Sequence, residues 1–301
     1  MRERGLQRSM DIDINFPTKF ASVDDVPEPF LGALKDRISS KERVRSLIYS
    51  PAFSTLENLP GSTAVTPGKI LAPASVLAVL DDRWLMAIEE EDRITVEESS
   101  FVDTLFLELT SILLSGELKI YYAAVGTYYA ATLPFNTVGE EVYREAIGLI
   151  LDGIDQKKGV AFDDNDSILR TWPLKFRLEA ERYRPKGQHL TTATRWACFT
   201  GELDDTLCPS GALLITEREL VFISEQKAFP RQHAGDLHKF GGIITYFPLI
   251  RLCDFHINHH GHFGVLTLLV RAAHGSEKLE IVFPSDREKA VQKTMQLAIR
   301  S

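Results

Sequence analysis

The chain has 301 residues, of which 44% are hydrophobic and 25% charged, and its formal net charge is −8. This length accommodates two domains, and the composition is that of a globular protein rather than a disordered or fibrous one. No apolar run approaches the roughly 20 residues that a membrane-spanning helix needs, which argues against a transmembrane protein.

The charge is distributed unevenly along the chain. Residues 29–155 contain 10 Lys+Arg and 19 Asp+Glu, whereas residues 175–301 contain 17 and 14. The acidic first part would repel a phosphate-rich partner, so we expect no nucleic acid as a general partner.

The cysteines and the N-terminus bear on the compartment. Cys198, Cys208 and Cys253 are odd in number and form no CxxC pair. A disulfide framework is therefore not expected, and a cytoplasmic location follows as the default. The charged N-terminal residues are followed by no apolar segment, so we expect no secretory signal.

The first half of the chain predicts many short strands and one long helix. Residues 1–28 are polar and punctuated by proline, which indicates an arm. Residues 30–39 have the apolar spacing of a short helix, 41–49 form a first strand, and 51–73 form a long connection. A hairpin at 76–88 and strands at 93–97, 101–107, 110–114, 118–124 and 127–133 follow. Thr137 as N-cap and one apolar stripe predict a helix over 137–154.

The second half repeats this order. Residues 155–166 are a candidate linker, and 172–187 mix basic and large apolar residues, which predicts that they pack against the rest of the chain. The predicted elements that follow are a strand at 191–199, a hairpin at 210–225, a polar insertion at 226–238, strands at 243–251, 254–258, 263–271 and 279–283, and a helix at 285–299.

The two hairpins align without a gap. Ile215 falls on Val79, Leu220 on Trp84 and Phe222 on Met86. One duplicated hairpin within one duplicated order of elements predicts one duplicated domain. The predicted boundaries are an N-terminal arm at 1–28, a first domain at 29–155, a linker or packing segment at 156–188 and a second domain at 189–301.

This order of elements resembles the bacterial pleckstrin-homology-like (PH-like) domain families, which are related to GRAM domains. The matching segments are LLITERELVFI at 213–223, VLAVLDDRWLMAI at 76–88, FVDTLFLELTSILLSGELKI at 101–120, and the helix after each last strand. The resemblance implies a mainly β (α+β) fold. It would consist of two PH-like, partly open β-barrels, each capped by its own C-terminal α-helix.

A basic segment is one candidate ligand-binding site. It contains Lys175, Arg177, Arg182, Arg184 and Lys186, interleaved with aromatic residues. Such a cluster can dock an anionic small ligand or a membrane headgroup. The alternative is a solvated face that compensates the acidic first domain.

A histidine cluster is the candidate metal site. Strand alternation places His256 and His260 on one face, and His262 follows across a turn at Gly261. Histidines two apart on a strand can chelate a divalent ion, with Asp254 or Cys253 nearby. The alternative is a hairpin turn with solvent-facing imidazoles.

Catalysis has little support in the sequence. The chain contains no Walker A loop, no GxSxG, no HExxH and no GxGxxG, and we expect neither catalytic residues nor a cofactor. Glu217 and Glu219 fall in a predicted turn, where acidic residues serve the backbone. Cys253 is predicted to belong to the core.

The sequence therefore favours a non-catalytic interaction or adaptor protein. Its two PH-like domains would bind a protein partner through a sheet edge or through the groove between barrel and helix. The alternatives are the binding of an anionic ligand or lipid headgroup by residues 175–186, and metal binding by the histidine cluster.

Overall fold

The computed structural model describes residues 16–58, 65–91, 93–156, 165–200, 206–226, 241–272 and 275–300. Within these ranges the protein is mainly β, which confirms the predicted fold class at that level. None of the sheets formed by the described residues closes into a barrel. The described helices are all too short or too polar to cross a membrane.

The first sheet is antiparallel and carries a helix on one face. The strands in chain order are β1 (Thr18–Lys19), β2 (Ser46–Ser50), β3 (Phe53–Asn58), β4 (Val65–Ala72), β5 (Ser75–Val79), β6 (Arg83–Glu90) and β7 (Arg93–Ser100). The sheet order is β1-β2-β5-β6-β7, and β3 pairs only with β4 among the described strands. Helix α1 (Phe30–Lys35) buries Phe30 and Leu34 in the core that includes Val76 and Leu85.

The next three strands form a second antiparallel group and end in a helix. They are β8 (Thr104–Ile112), β9 (Ser115–Ala124) and β10 (Thr127–Asn136), followed by α2 (Glu140–Ile154). Helix α2 buries Tyr143, Ile147 and Ile150, because its apolar residues recur at helical spacing.

The second half of the chain has the same succession. It comprises α3 (Leu174–Tyr183), β11 (Leu190–Trp196), β12 (Phe199–Thr200), β13 (Thr206–Cys208), β14 (Gly211–Thr216), β15 (Glu219–Gln226), β16 (Gly241–Pro248), β17 (Leu252–His260), β18 (Phe263–Ala272), β19 (Gly275–Pro284) and α4 (Glu288–Arg300). Strands β17, β18 and β19 form a three-stranded sheet in that order.

The two halves correspond residue by residue over much of their length. Strands β17, β18 and β19 begin at 252, 263 and 275, and β8, β9 and β10 begin at 104, 115 and 127 (252 − 104 = 263 − 115 = 275 − 127 = 148). Each first strand has a β-bulge at the same place, after Thr104 and after Leu252. The shared bulge matters because a bulge is a local feature that strand pairing alone does not require.

A glycine–phenylalanine pair is repeated at the same spacing. Phe135 lies opposite Gly116, and Phe283 lies opposite Gly264. A Cβ atom added to Gly116 would lie 2.4 Å from the Phe135 ring, and one added to Gly264 would lie 2.5 Å from the Phe283 ring. In both halves the ring therefore fills the space that a side chain would occupy.

One sheet joins the two predicted domains. Strands β10, β9 and β8 continue directly into β16, β15, β14 and β11, giving seven strands. Strand β8 pairs antiparallel with β16, so that Leu107 lies opposite Tyr246 and Leu109 opposite Ile244. All four side chains are buried. The sequence does not predict this pairing, because two separate shells were expected to meet only through residues 172–187.

Four local predictions are corrected by the structure. The strands predicted at 101–107 and 110–114 are one strand, β8, in which the polar residues Glu108 and Thr110 belong to one face rather than marking a break. The connection predicted at 51–73 contains the β3–β4 hairpin. The short helix predicted at 30–39 ends at Lys35. Cys253 is exposed rather than buried, because it is the extra residue at the β17 bulge.

Candidate functional site

The basic segment lies on α3 and the turn after it, and its charges are paired. Four ion pairs reach other parts of the chain: Lys175 with Glu225, Arg182 with Glu140, Arg184 with Asp166, and Lys186 with Glu145. Arg177 lies 4.0 Å from Glu181, one turn along the same helix. Every one of the five predicted cations thus has a carboxylate beside it, which is the compensating arrangement that the alternative interpretation expects.

Glu140 fixes the position of Arg182. The Glu140 side chain is only 3% exposed, and its Oε1 accepts a hydrogen bond of 2.8 Å from Arg182. Its Oε2 accepts one of the same length from Ser111 on β8. The pair ties α2, α3 and β8 together, since a buried carboxylate needs partners of this kind.

A cavity of about 550 Å³ lies between α2, the end of α3 and the β14–β15 turn. This volume is in the range of small-ligand sites. Six cationic side chains line it, three of them from the predicted basic segment: Lys19, Arg144, Arg182, Arg184, Lys186 and Arg218. Four carboxylates also line it, from Glu141, Glu145, Asp152 and Glu181. The charged side chains of the lining therefore carry a small excess of positive charge.

A buried carboxyl group lies behind this cavity. The Glu219 side chain is 0% exposed at the start of β15, and its Oε2 lies 3.3 Å from the Thr216 hydroxyl, which donates to Gln188 Oε1. Burial raises the pKa of Glu219 to about 7, although Arg218 acts in the opposite direction. The sequence analysis missed this group because an acidic residue in a turn is ordinarily solvent-exposed.

Arg218 connects the same turn to α2. Its guanidinium donates a hydrogen bond of 2.6 Å to the Asp152 carboxylate and one of 3.1 Å to the backbone oxygen of Asp155. These hydrogen bonds hold the β14–β15 turn against the C-terminal end of α2. Glu219, the next residue in the chain, therefore belongs to the contact between this turn and α2.

The histidines of the predicted metal site have other neighbours. His256 and His260 are exposed on β17, the His260 ring stacks on Phe263 with 5.6 Å between centroids, and His262 lies 5.8 Å from Phe199. Within the described ranges no three His, Cys, Asp or Glu side chains come together as a metal site would need. Metal binding by His256, His260 and His262 stays a prediction.

Cys208 is held in the core of the second half as a buried thiol. Cys208 is buried and its Sγ donates to the Val282 backbone oxygen. Burial raises the pKa of the Cys208 thiol to about 12, which keeps it protonated at neutral pH.

Two strands present an unpaired edge where their counterparts do not. In the described part of the chain, β7 pairs only with β6 and β17 only with β18. Their counterparts in the other half, β16 and β8, pair with each other as well as with their hairpin neighbours. Strand β17 is exposed or half-buried along its whole length, whereas β8 is largely buried.

These two edges carry different ionisable side chains. Strand β7 contains Arg93 and two carboxylates, Glu97 and Glu98, and Glu98 is held by Arg37 at 2.9 Å. Strand β17 contains one carboxylate, Asp254, and the three histidines His256, His259 and His260. Edge strands commonly carry charged residues, which prevent pairing with the wrong partner.

The described residues thus define a mainly β protein with two corresponding halves and one shared sheet, in which β7 and β17 each have an unpaired outer edge. No protein-family model matches this chain, and a search of curated proteins returns no match.

Proposed function

We propose that this chain is a non-catalytic interaction protein built from two PH-like units, which binds a protein partner at an unpaired sheet edge. In this proposal each unit is a group of four strands, a group of three strands and a C-terminal helix. The repeated register, the repeated bulge and the repeated glycine–phenylalanine pair support the tandem arrangement.

One observation carries the choice of the edge. Strand β8 pairs along its outer edge with β16, although the two strands belong to different halves of the chain. Strand β17 has the same register and the same bulge, and its outer edge has no partner among the described strands. Backbone groups along such an edge bind an extended segment through main-chain hydrogen bonds.

Site-specific photo-crosslinking tests the proposal. A photoreactive residue in place of Asn258, exposed on β17, is compared with one in place of Gln292, exposed on α4. We expect Asn258-specific protein adducts when the full chain is incubated with an extract of its native cells. Identical products from both positions would contradict docking at the β17 edge.

A second candidate is the binding of a small anionic ligand. It is favoured by the six cationic side chains around the cavity next to α2. Inorganic pyrophosphate is a suitable probe, and calorimetry should show binding at low salt that weakens steeply as salt rises. The variant Lys186→Gln removes one exposed cation from the rim and should weaken this binding. No heat of binding at low salt would remove this candidate.

A further inference from the structure

Strands β8 and β16 each have a counterpart in the other half whose outer edge is unpaired among the described strands. The counterpart of β8 is β17, and the counterpart of β16 is β7. We infer that β17 of one molecule pairs antiparallel with β7 of a second copy of this chain. The inference rests on the proposed function and names the partner.

The register of the new pair follows from the repeat. Within the chain, Thr245 lies opposite Glu108 and Ile244 opposite Leu109. Each residue of β16 has its counterpart in β7 148 positions earlier, and each residue of β8 has its counterpart in β17 148 positions later. The counterparts of Thr245 and Glu108 are therefore Glu97 and His256 (245 − 148 = 97, 108 + 148 = 256), which places Glu97 of one molecule opposite His256 of the other. The same operation (244 − 148 = 96, 109 + 148 = 257) places Val96 opposite Ile257.

The opposed side chains are complementary. Val96 and Ile257 are both half-buried apolar residues, and their contact would cover the surface that each leaves open. Glu97 opposite His256 places a carboxylate, which accepts a hydrogen bond, beside an imidazole N–H, which donates one, and complementary cross-strand pairs stabilise adjacent strands. Arg93 lies opposite His260, and both residues are at the solvent-exposed ends of their strands.

The charges also select this pairing over pairing of like strands. Two β7 strands side by side would bring Glu97 and Glu98 of both molecules together, which is unfavourable. Strand β17 carries one carboxylate, Asp254, and three histidines. Pairing β7 with β17 avoids the repulsion that a pair of β7 strands would create.

The helix on each strand leaves the edge accessible. On β8, Ser111 donates to Glu140 of α2 at 2.8 Å, and the outer edge of β8 still pairs with β16. On β17 the corresponding contact is between His259 Nε2 and Glu288 Oε2 of α4, at 2.7 Å. Since α4 touches β17 at the position where α2 touches β8, it leaves the outer edge of β17 equally open.

The intermolecular pair lacks one contact of the internal pair, and so we expect a weaker, reversible association. Phe106 of β8 stacks on Phe247 of β16 with 6.2 Å between centroids. The residues at the corresponding positions are Asp254 and Ser99, which cannot stack. Because β7 and β17 are different surfaces, the contact is head-to-tail, and each added molecule carries a further free edge unless a ring closes.

Analytical ultracentrifugation of the full chain tests the inference. We expect the average mass of the wild type to rise above that of a monomer as concentration increases. His256→Glu places a glutamate opposite Glu97 and should weaken association at least tenfold. The control Gln292→Glu adds the same charge on exposed α4 and should change nothing. The combined variant Glu97→Lys/His256→Glu restores opposite charges and should recover association.

A disulfide trap checks the register. Directly opposed residues of an antiparallel pair are about 4.5–5.5 Å apart at Cα, which a disulfide can span. In a background that carries Cys253→Ser, a chain with Glu97→Cys mixed with a chain with His256→Cys should form covalent dimers faster than a mixture with His260→Cys. Equal rates would contradict the register.

The outcomes separate the two proposals. A wild type that stays monomeric at every concentration overturns self-association, as does a combined variant that fails to recover it while remaining folded by circular dichroism. If the chain is monomeric but the Asn258 photo-crosslinker captures another protein, the proposed function stands and only the partner is wrong. If neither occurs, both proposals fail.

Discussion

Strands β8 and β17 are the same element in two different surroundings. They share their register, their bulge and their contact with the following helix. Strand β8 has β16 on its outer side and carries the buried residues Leu105 and Phe106, whereas β17 has Cys253 and Asp254 at those positions. The side chains at these two positions therefore depend on whether another strand covers the edge. Phe255 and Ile257 nevertheless remain apolar, because they pack against the core that contains Leu266 and Leu268.

The largest expected effect tests whether the two halves are equivalent in energy. Phe135→Ala and Phe283→Ala each remove a buried ring that covers a glycine, and each should lower the free energy of unfolding by about 3–5 kcal/mol. Chemical denaturation measures this. The matched control is Phe→Leu at the same positions, which keeps apolar volume and should cost less. A large loss of stability for only one of the two alanine variants would contradict the equivalence of the two glycine–phenylalanine pairs.

The second effect concerns a position where the halves differ. Glu219 is buried, whereas its counterpart Arg83 is half-buried and pairs with Glu42 and Glu98. The raised pKa means that the folded state binds this proton more tightly than the unfolded state. The stabilisation of the folded state by protonated Glu219 is complete below about pH 4.5, and it is lost as the pH rises through about 7. At pH 8, Glu219→Gln should therefore raise the free energy of unfolding by up to about 3 kcal/mol.

The control for this pH dependence is Glu217→Gln. Glu217 is two residues away in the same turn but is only half-buried. Its removal should leave the fall in stability between pH 5 and pH 8 in place. A wild-type profile that is flat over this interval would contradict the burial of an ionisable Glu219.

The smallest expected changes in stability come from removing the two strand–helix contacts, Ser111 with Glu140 and His259 with Glu288. Ser111 donates to Glu140, which is 3% exposed, whereas His259 is 53% exposed and Glu288 33% exposed. Ser111→Ala should cost about 1–2 kcal/mol, because it removes a partner from a buried carboxylate. His259→Ala should cost less than about 1 kcal/mol, as for other surface pairs. Thermal unfolding of both variants would show whether burial sets the difference.

The sequence predicts the local elements well because their signals are local. The hairpin alignment of Ile215 on Val79 and Leu220 on Trp84 matches the structure, in which each of these residues pairs across its own hairpin in the same register. The helix predicted at 137–154 is α2 with a short 3-10 turn before it. The repeated Gly116–Phe135 and Gly264–Phe283 spacing was available in the sequence and was missed.

What depends on distant contacts could not be predicted. The pairing of β8 with β16 brings together residues more than 120 positions apart, and hydrophobic alternation does not specify a partner. The partners of the basic segment could not be named from the sequence, because its carboxylates, such as Glu140 and Glu225, lie elsewhere in the chain. Cys253 looked like a core residue because a bulge cannot be seen in an alternating pattern.

Hydrogen exchange at two protein concentrations distinguishes the pairing of β8 with β16 within one molecule from the pairing of β7 with β17 between molecules. The outer amides of β8 and β16 should be protected at any concentration, because the two strands pair within the molecule. Those of β7 and β17 should exchange quickly in dilute solution and become protected together as the concentration rises. Protection of neither strand, or of β17 without β7, would contradict the account.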